Sequence, residues 1–111
     1  MIEIGDYVRT LDGEITKIEE IGKSLMWGED DFTISKNSKD ITKHSKNIID
    51  LIEVGDYVNE YLVTKIFSAY IYVDMYDKEG FQKTFCDYQI KKIVTKEQFK
   101  SIEYIVENKE G

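Results

Sequence analysis

The chain has 111 residues, a net charge of −7 from 22 acidic and 15 basic side chains, and one cysteine. That length allows one compact domain or two very small ones, and the acidic balance opposes generic binding to a phosphate backbone, which needs clustered Lys and Arg. A lone Cys86 excludes an intramolecular disulfide and fits a reducing compartment, where a free cysteine in a strand commonly behaves as a small apolar residue.

No run approaches the ~18 apolar residues of a membrane span, and the first residues lack a basic-then-apolar signal. A cytoplasmic protein that does not enter the membrane is therefore expected. Residues 2–8 read Ile-Glu-Ile-Gly-Asp-Tyr-Val, and residues 52–58 read Ile-Glu-Val-Gly-Asp-Tyr-Val. A worn third return begins at Ile102-Glu103-Tyr104. The spacing implies one unit used twice, repeat 1 over 1–51 and repeat 2 over 52–111, closed by a final strand. A unit this small buries only ~60% of its unfolded surface and is marginal alone, so the halves should pack together or share a strand.

In chain order, Gly5-Asp6 is a turn signal before an alternating strand through Thr10. Asp12-Gly13 marks a hairpin into a strand over 14–21, with a bulge expected near Ile18, where alternation breaks. Strands over 23–27 and 32–35 flank the acidic turn Gly28-Glu29-Asp30-Asp31. The second half offers Met75-Tyr76, then Asp77-Lys78-Glu79-Gly80, then Phe81, which aligns Trp27 with Tyr76 and Phe32 with Phe81. Thr64-Lys65-Ile66 aligns with Thr16-Lys17-Ile18.

A short strand over 41–43 precedes a helical turn capped by Ser45, and Thr95-Lys96-Glu97-Gln98 fits a capping box. Strands are expected over 68–75, 81–87, 89–93 and 104–106. In the longest, Tyr70, Tyr72 and Asp74 face one side and Ile71, Val73 and Met75 the other.

Five short strands per unit, a tight early turn and a short helical turn before the last strand resemble an SH3-like barrel. The opening Gly-Asp-Tyr-Val-Arg-Thr-Leu-Asp-Gly-Glu-Ile-Thr-Lys-Ile is similar to the KOW-type entry to such barrels. The expected fold is all-β: two tandem SH3-like small barrels with short helical turns, packed together. The strand opened by Ile52 would end one barrel and begin the next.

The stretches 2–13, 43–52 and 95–99 resemble small proteins encoded by bacteriophages and prophages of Gram-positive bacteria. That resemblance implies a host-cell cytoplasmic location and brings no activity with it.

Chemistry is poorly provided for. His44 is the only histidine, and nothing in the spacing brings it together with Ser45, Asp50 or Cys86 as a nucleophilic device. One His and one Cys do not make a zinc site, the acidic turns lack a calcium-loop ladder, and the seven glycines are dispersed rather than gathered in a phosphate cradle. No catalytic residue, metal or cofactor is assigned.

Recognition is better provided for, because Tyr and Trp bury large areas while keeping a polar edge. The candidate contact residues are Trp27, Glu29, Asp30, Asp31, Tyr70, Tyr72, Asp74, Tyr76, Asp77 and Glu79. The expected function is a non-enzymatic, acidic, phage-type module that binds and modulates a basic host protein. A nucleic-acid-handling or defence enzyme met by an anti-CRISPR-type charge mimic is one specific form of it. The alternative is a nucleic-acid-associated barrel using Lys36, Lys39, Lys43 and Lys46 as a local basic stripe.

Overall fold

The computed structural model describes residues 1–102. The closing strand expected over 104–106 and the tail beyond it lie outside the described residues. Among those described, the chain is mostly β, in two antiparallel five-stranded sheets.

The first sheet contains β1 (Tyr7–Thr10), β2 (Ile15–Ile21), β3 (Leu25–Gly28), β4 (Thr33–Ser35) and β5 (Ile41–Ser45). The second contains β6 (Tyr57–Val58), β7 (Tyr61–Ile66), β8 (Tyr70–Tyr76), β9 (Gln82–Cys86) and β10 (Ile93–Val94). A 3-10 helix (Ile48–Leu51) joins the sheets, a second (Asp87–Gln89) precedes β10, and one α-helix, α1 (Lys96–Ile102), follows. The strand orders are β4-β3-β2-β1-β5 and β10-β6-β7-β8-β9, so each half repeats one topology: a four-stranded meander whose fifth strand returns beside the first. Both sheets are open, because no ladder joins β4 to β5 or β9 to β10.

Pairing register revises the internal alignment. Gly5 donates to the Ile18 carbonyl and Gly55 to the Val63 carbonyl, so Ile18 and Val63 are equivalents, 45 positions apart. Ile18 pairs with Gly28 and Ile21 with Met26; Val63 pairs with Val73 and Ile66 with Ile71. Trp27 therefore corresponds to Tyr72 rather than Tyr76, and Thr16 to Tyr61 rather than Thr64.

The cause lies in two compensating hairpin changes. Seven residues separate Val8 from its partner Thr16, but only two separate Val58 from Tyr61. Conversely, seven residues separate Met26 from Ile34 and thirteen separate Ile71 from Phe85. At the tips the offset of 49 survives: Gly28 donates to the Phe32 carbonyl and Asp77 to the Phe81 carbonyl, both at 2.9 Å.

Three other expectations change. Residues 52–56 carry no ladder, and the first sheet closes its own run with β5, so no strand is shared. The cap of the first 3-10 helix is Asn47, whose side chain accepts from Ile49 at 3.2 Å, while Ser45 accepts from Asn47. The strand expected over 89–93 is instead the second 3-10 helix and the two-residue β10, because Gln89 turns back to accept from the Cys86 amide at 2.9 Å. The bulge beside Ile18 and the Thr95 capping box are present as expected.

The cores are unequal. The second contains seven buried apolar residues, Val58, Val63, Ile71, Val73 and Phe85 with Ile49 and Ile52. The first contains Val8, Ile18 and Met26. Ile49 precedes the second heptapeptide in sequence yet packs in the second core, so the connection between the sheets is itself a packed element.

Candidate interaction surfaces

Alternation along β3 and β8 buries Met26, Ile71 and Val73 and turns their neighbours outward. On the second sheet this creates an aromatic cluster. Phe67 stacks on Tyr70 at 5.0 Å between ring centres and meets the edge of Tyr72 at 5.5 Å, and Tyr70 meets Tyr72 at 5.7 Å. Phe67 and Tyr70 remain 42% and 37% exposed, too open for a core and too clustered for scattered surface rings.

The first sheet repeats the arrangement in reduced form. Gly22 donates to the Leu25 carbonyl as Phe67 does to that of Tyr70, so Gly22, Leu25 and Trp27 occupy the places of Phe67, Tyr70 and Tyr72. The indole lies over Gly22, where an added Cβ would sit 3.0 Å from two ring carbons. Glycine in one unit thus makes room for the larger ring, and phenylalanine in the other extends the cluster.

Of the residues expected at the surface, Tyr70 and Tyr72 fall in this cluster, and Trp27 occupies its counterpart. Asp74 and Tyr76 are exposed further along β8, but Met75, expected to face inward, is 37% exposed. The ladder slips between Tyr72 and Tyr76, and that irregularity resets the alternation before Met75. Phe67 was not among the candidates. Its signal is the spacing Phe67-x-x-Tyr70-x-Tyr72, which brings three rings to one face across a tight turn.

The acidic hairpins divide into structural and free carboxylates. Glu29 accepts from the Lys17 amide at 3.1 Å, and Asp77 accepts from the amides of Glu79 and Phe81 at 2.9 Å. Asp30, Asp31, Asp74 and Glu79 project side chains that pair with nothing among the described residues. Asp30 and Asp31 have φ of 52° and 63°, the left-handed region in which Asp is better tolerated than most residues.

One of the two fully buried charges among the described residues is one that strand alternation alone left on an unassigned face. Arg9, the chain's sole arginine, is 0% exposed at the junction of the halves. Its guanidinium grips Asp56 with two prongs, donates to the Leu51 carbonyl at 2.8 Å, and reaches Glu97 on α1 at 2.8 Å. Burial disfavours its charge, but the hydrogen bonds to Asp56 and Glu97 and the field of Asp56 and Glu53 outweigh this and raise its pKa. Glu53 feels burial first as well, yet Lys96, Lys43 and Arg9 hold its carboxyl below the usual value. Nearby, the Thr95 hydroxyl donates to the Gly13 carbonyl at 2.8 Å, seating the first unit's hairpin turn on the start of α1.

The same turn chemistry recurs at Asp6, which accepts from the Glu3 amide as Asp56 does from that of Glu53. Asp6 is met by Lys46 at 3.0 Å and by His44 at 3.6 Å. Ser45 donates instead to Asp50 at 2.6 Å, and Cys86 lies on the other sheet beside Gln89. Among the described residues no three His, Cys, Asp or Glu side chains gather as a metal-ligand set, and no helix is long and apolar enough to cross a membrane. The lysine stripe is half neutralised, since Glu53 holds Lys43 at 3.2 Å and Asp6 holds Lys46.

No family model matches this chain, and no curated protein or solved structure matches it either.

Proposed function

We propose that this chain is a non-enzymatic binding module that engages a host protein through the outward aromatic face repeated on both of its units. The observation that carries this reading is the equivalence of Trp27 with Tyr72. Two halves whose hairpins have diverged in length keep an outward ring at the same place in the fold, where it stabilises no core. Exposed rings in a cluster have the composition of an interface centre. The free carboxylates of Asp30, Asp31, Asp74 and Glu79 suit a basic partner and contribute mainly to encounter rate and specificity.

Each unit is read as an SH3-like barrel left open at the seam between its fourth and fifth strands, with a sequence boundary after residue 51. The shared strand order supports this, as does the 3-10 helix before β10. The resemblance to phage proteins supplies the host cytoplasm as the setting. A nucleic-acid-bound barrel is less well supported, because Lys43 and Lys46 already serve carboxylates of the chain.

The separating experiment is a fluorescence titration of the chain into labelled single- and double-stranded DNA and RNA, beside a cross-linking capture from host extract. The reading expects no saturable nucleic-acid binding at physiological salt and a captured protein that is lost from a Tyr70→Ser/Tyr72→Ser variant. Tight nucleic-acid binding with a steep salt dependence would replace it with the lysine-stripe reading.

A further inference from the structure

Strand register allows a second comparison between the units, of what stands beside each outward ring. In the first sheet Glu20, Trp27 and Thr33 lie directly opposite one another on three adjacent strands. In the second sheet Lys65, Tyr72 and Thr84 do the same. Directly opposed residues share a face of the sheet, so each ring has a threonine on one flank and a charged side chain on the other. The threonine is kept, and the charge is reversed.

The preceding position sharpens the contrast. The ladders shift register across Glu19 in one unit and across Thr64 in the other. The Thr64 hydroxyl is engaged within its sheet, accepting from Gln82 at 2.8 Å. The carboxylates of Glu19 and Glu20 are exposed and pair with nothing among the described residues, and the Lys65 ammonium is equally open. The cation of β2, Lys17, lies over the Tyr7 ring at 5.7 Å. Trp27 thus stands beside two free carboxylates, with those of Asp30 and Asp31 at the tip of its hairpin, whereas Tyr72 stands beside a free ammonium.

We propose that the ring faces are sorted by charge: the Trp27 face docks an arginine of a basic partner segment, and the Tyr72 face does not. The guanidinium lies against the indole while its N–H groups donate to Glu19 or Glu20. Arginine suits this site better than lysine, since its planar fork both stacks on a ring and meets a carboxylate with two bonds. At Tyr72 the same cation would meet Lys65. This assignment rests on reading the outward rings as a binding surface, and it adds that the two copies of that surface are not interchangeable.

The test is a titration of the isotope-labelled full chain, at physiological salt, with the capped peptide Gly-Arg-Gly-Arg-Gly beside its lysine and glutamate versions. Trp27 is the sole tryptophan, so its emission and indole N–H signal report one face, and the amides of Lys65 and Tyr72 report the other. A saturable change at Trp27 is expected, at least about threefold tighter for arginine than for lysine and absent for glutamate. Affinity should fall at least about fivefold in Glu19→Thr/Glu20→Lys, which installs the second unit's residues at exposed positions, and Lys65→Glu should bring the arginine peptide to the Tyr72 face. No saturation by about 5 mM, lysine binding as tightly as arginine, an unchanged Glu19→Thr/Glu20→Lys variant, no gain in Lys65→Glu, or Tyr72 responding with Trp27 in the native chain would each overturn the assignment. Capture from host extract separates it from the reading beneath it. Loss of the captured protein from Trp27→Ser but not from Glu19→Thr/Glu20→Lys overturns the charge assignment alone, whereas retention by both variants removes the Trp27 face as well.

Discussion

Arg9 and Asp56 face each other across the junction of two sheets and close a two-pronged ion pair from which solvent is almost wholly excluded on both sides. A buried pair of this kind contributes little over a well-packed apolar pair, yet removing one partner strands the other charge. Arg9→Ala is expected to cost about 3–5 kcal/mol in urea unfolding, with Asp56→Asn close behind. Arg9→Met/Asp56→Leu should recover much of that loss. A double variant as unstable as the sum of the singles would show that the pair acts independently on each side.

The seating of the first hairpin turn on α1 predicts an unusually costly glycine substitution. Gly13 has φ +82°, and a Cβ there would collide with the Thr95 hydroxyl. Gly13→Ala should destabilise by about 2 kcal/mol or more, since left-handed backbone alone costs a non-glycine residue ~1–2 kcal/mol. Gly80→Ala, at φ +89° with nothing near its Cβ, isolates the backbone part, and equal losses at both positions would deny the contact.

A turn in the second unit offers a change of opposite sign. Asn59 and Glu60 both have positive φ, 50° and 76°, and connect β6 to β7 as a two-residue hairpin of the kind that favours Asn-Gly. Glu60→Gly relieves the left-handed strain and loses only an exposed ion pair to Lys92. The thermal midpoint should rise, by an amount corresponding to about 0.5–1 kcal/mol, and a fall would mean that Glu60 has a role beyond the turn.

Acid should loosen the junction in a defined window. Glu53 and Asp6 titrate below their ordinary carboxylate values in the folded chain. Their contribution is therefore complete above the unfolded value and lost as pH falls through the lowered folded one. Stability measured from pH 7 downward should drop below about pH 4.5. Glu53→Gln and Asp6→Asn should be less stable than the native chain at pH 7 and converge with it at about pH 2. Parallel curves throughout would contradict the ion-pair assignment.

What the sequence made legible follows from which forces are local. The Thr95 capping box and the Asp12-Gly13 turn are set by a few adjacent residues, and both stand as read. The heptapeptide located the two Gly-Asp turns because each needs a glycine at positive φ followed by an Asp that bonds back to an amide. The alignment of Trp27 with Tyr76 failed because the hairpin tips keep an offset of 49 while β2 and β3 sit 45 positions from β7 and β8, a distinction visible only in hydrogen-bond register. Arg9 stayed hidden for a similar reason. On an isolated strand it shares a face with Tyr7 that alternation assigns neither to core nor to solvent, and its burial is made tolerable by distant partners, above all the second unit's Asp56, 47 positions away.

The central claim is that the outward rings, in both units, carry the binding. The most direct measurement is partner affinity by calorimetry for the native chain, a Tyr70→Ser/Tyr72→Ser variant, a Trp27→Ser variant and an Asp30→Asn/Asp31→Asn variant, each shown by circular dichroism to be folded. Losing a buried anchor ring costs about 2 kcal/mol or more, so both ring variants should bind at least about thirtyfold more weakly, while neutralising the two turn carboxylates should mainly slow association. Ring variants that bind as tightly as the native chain would contradict the claim.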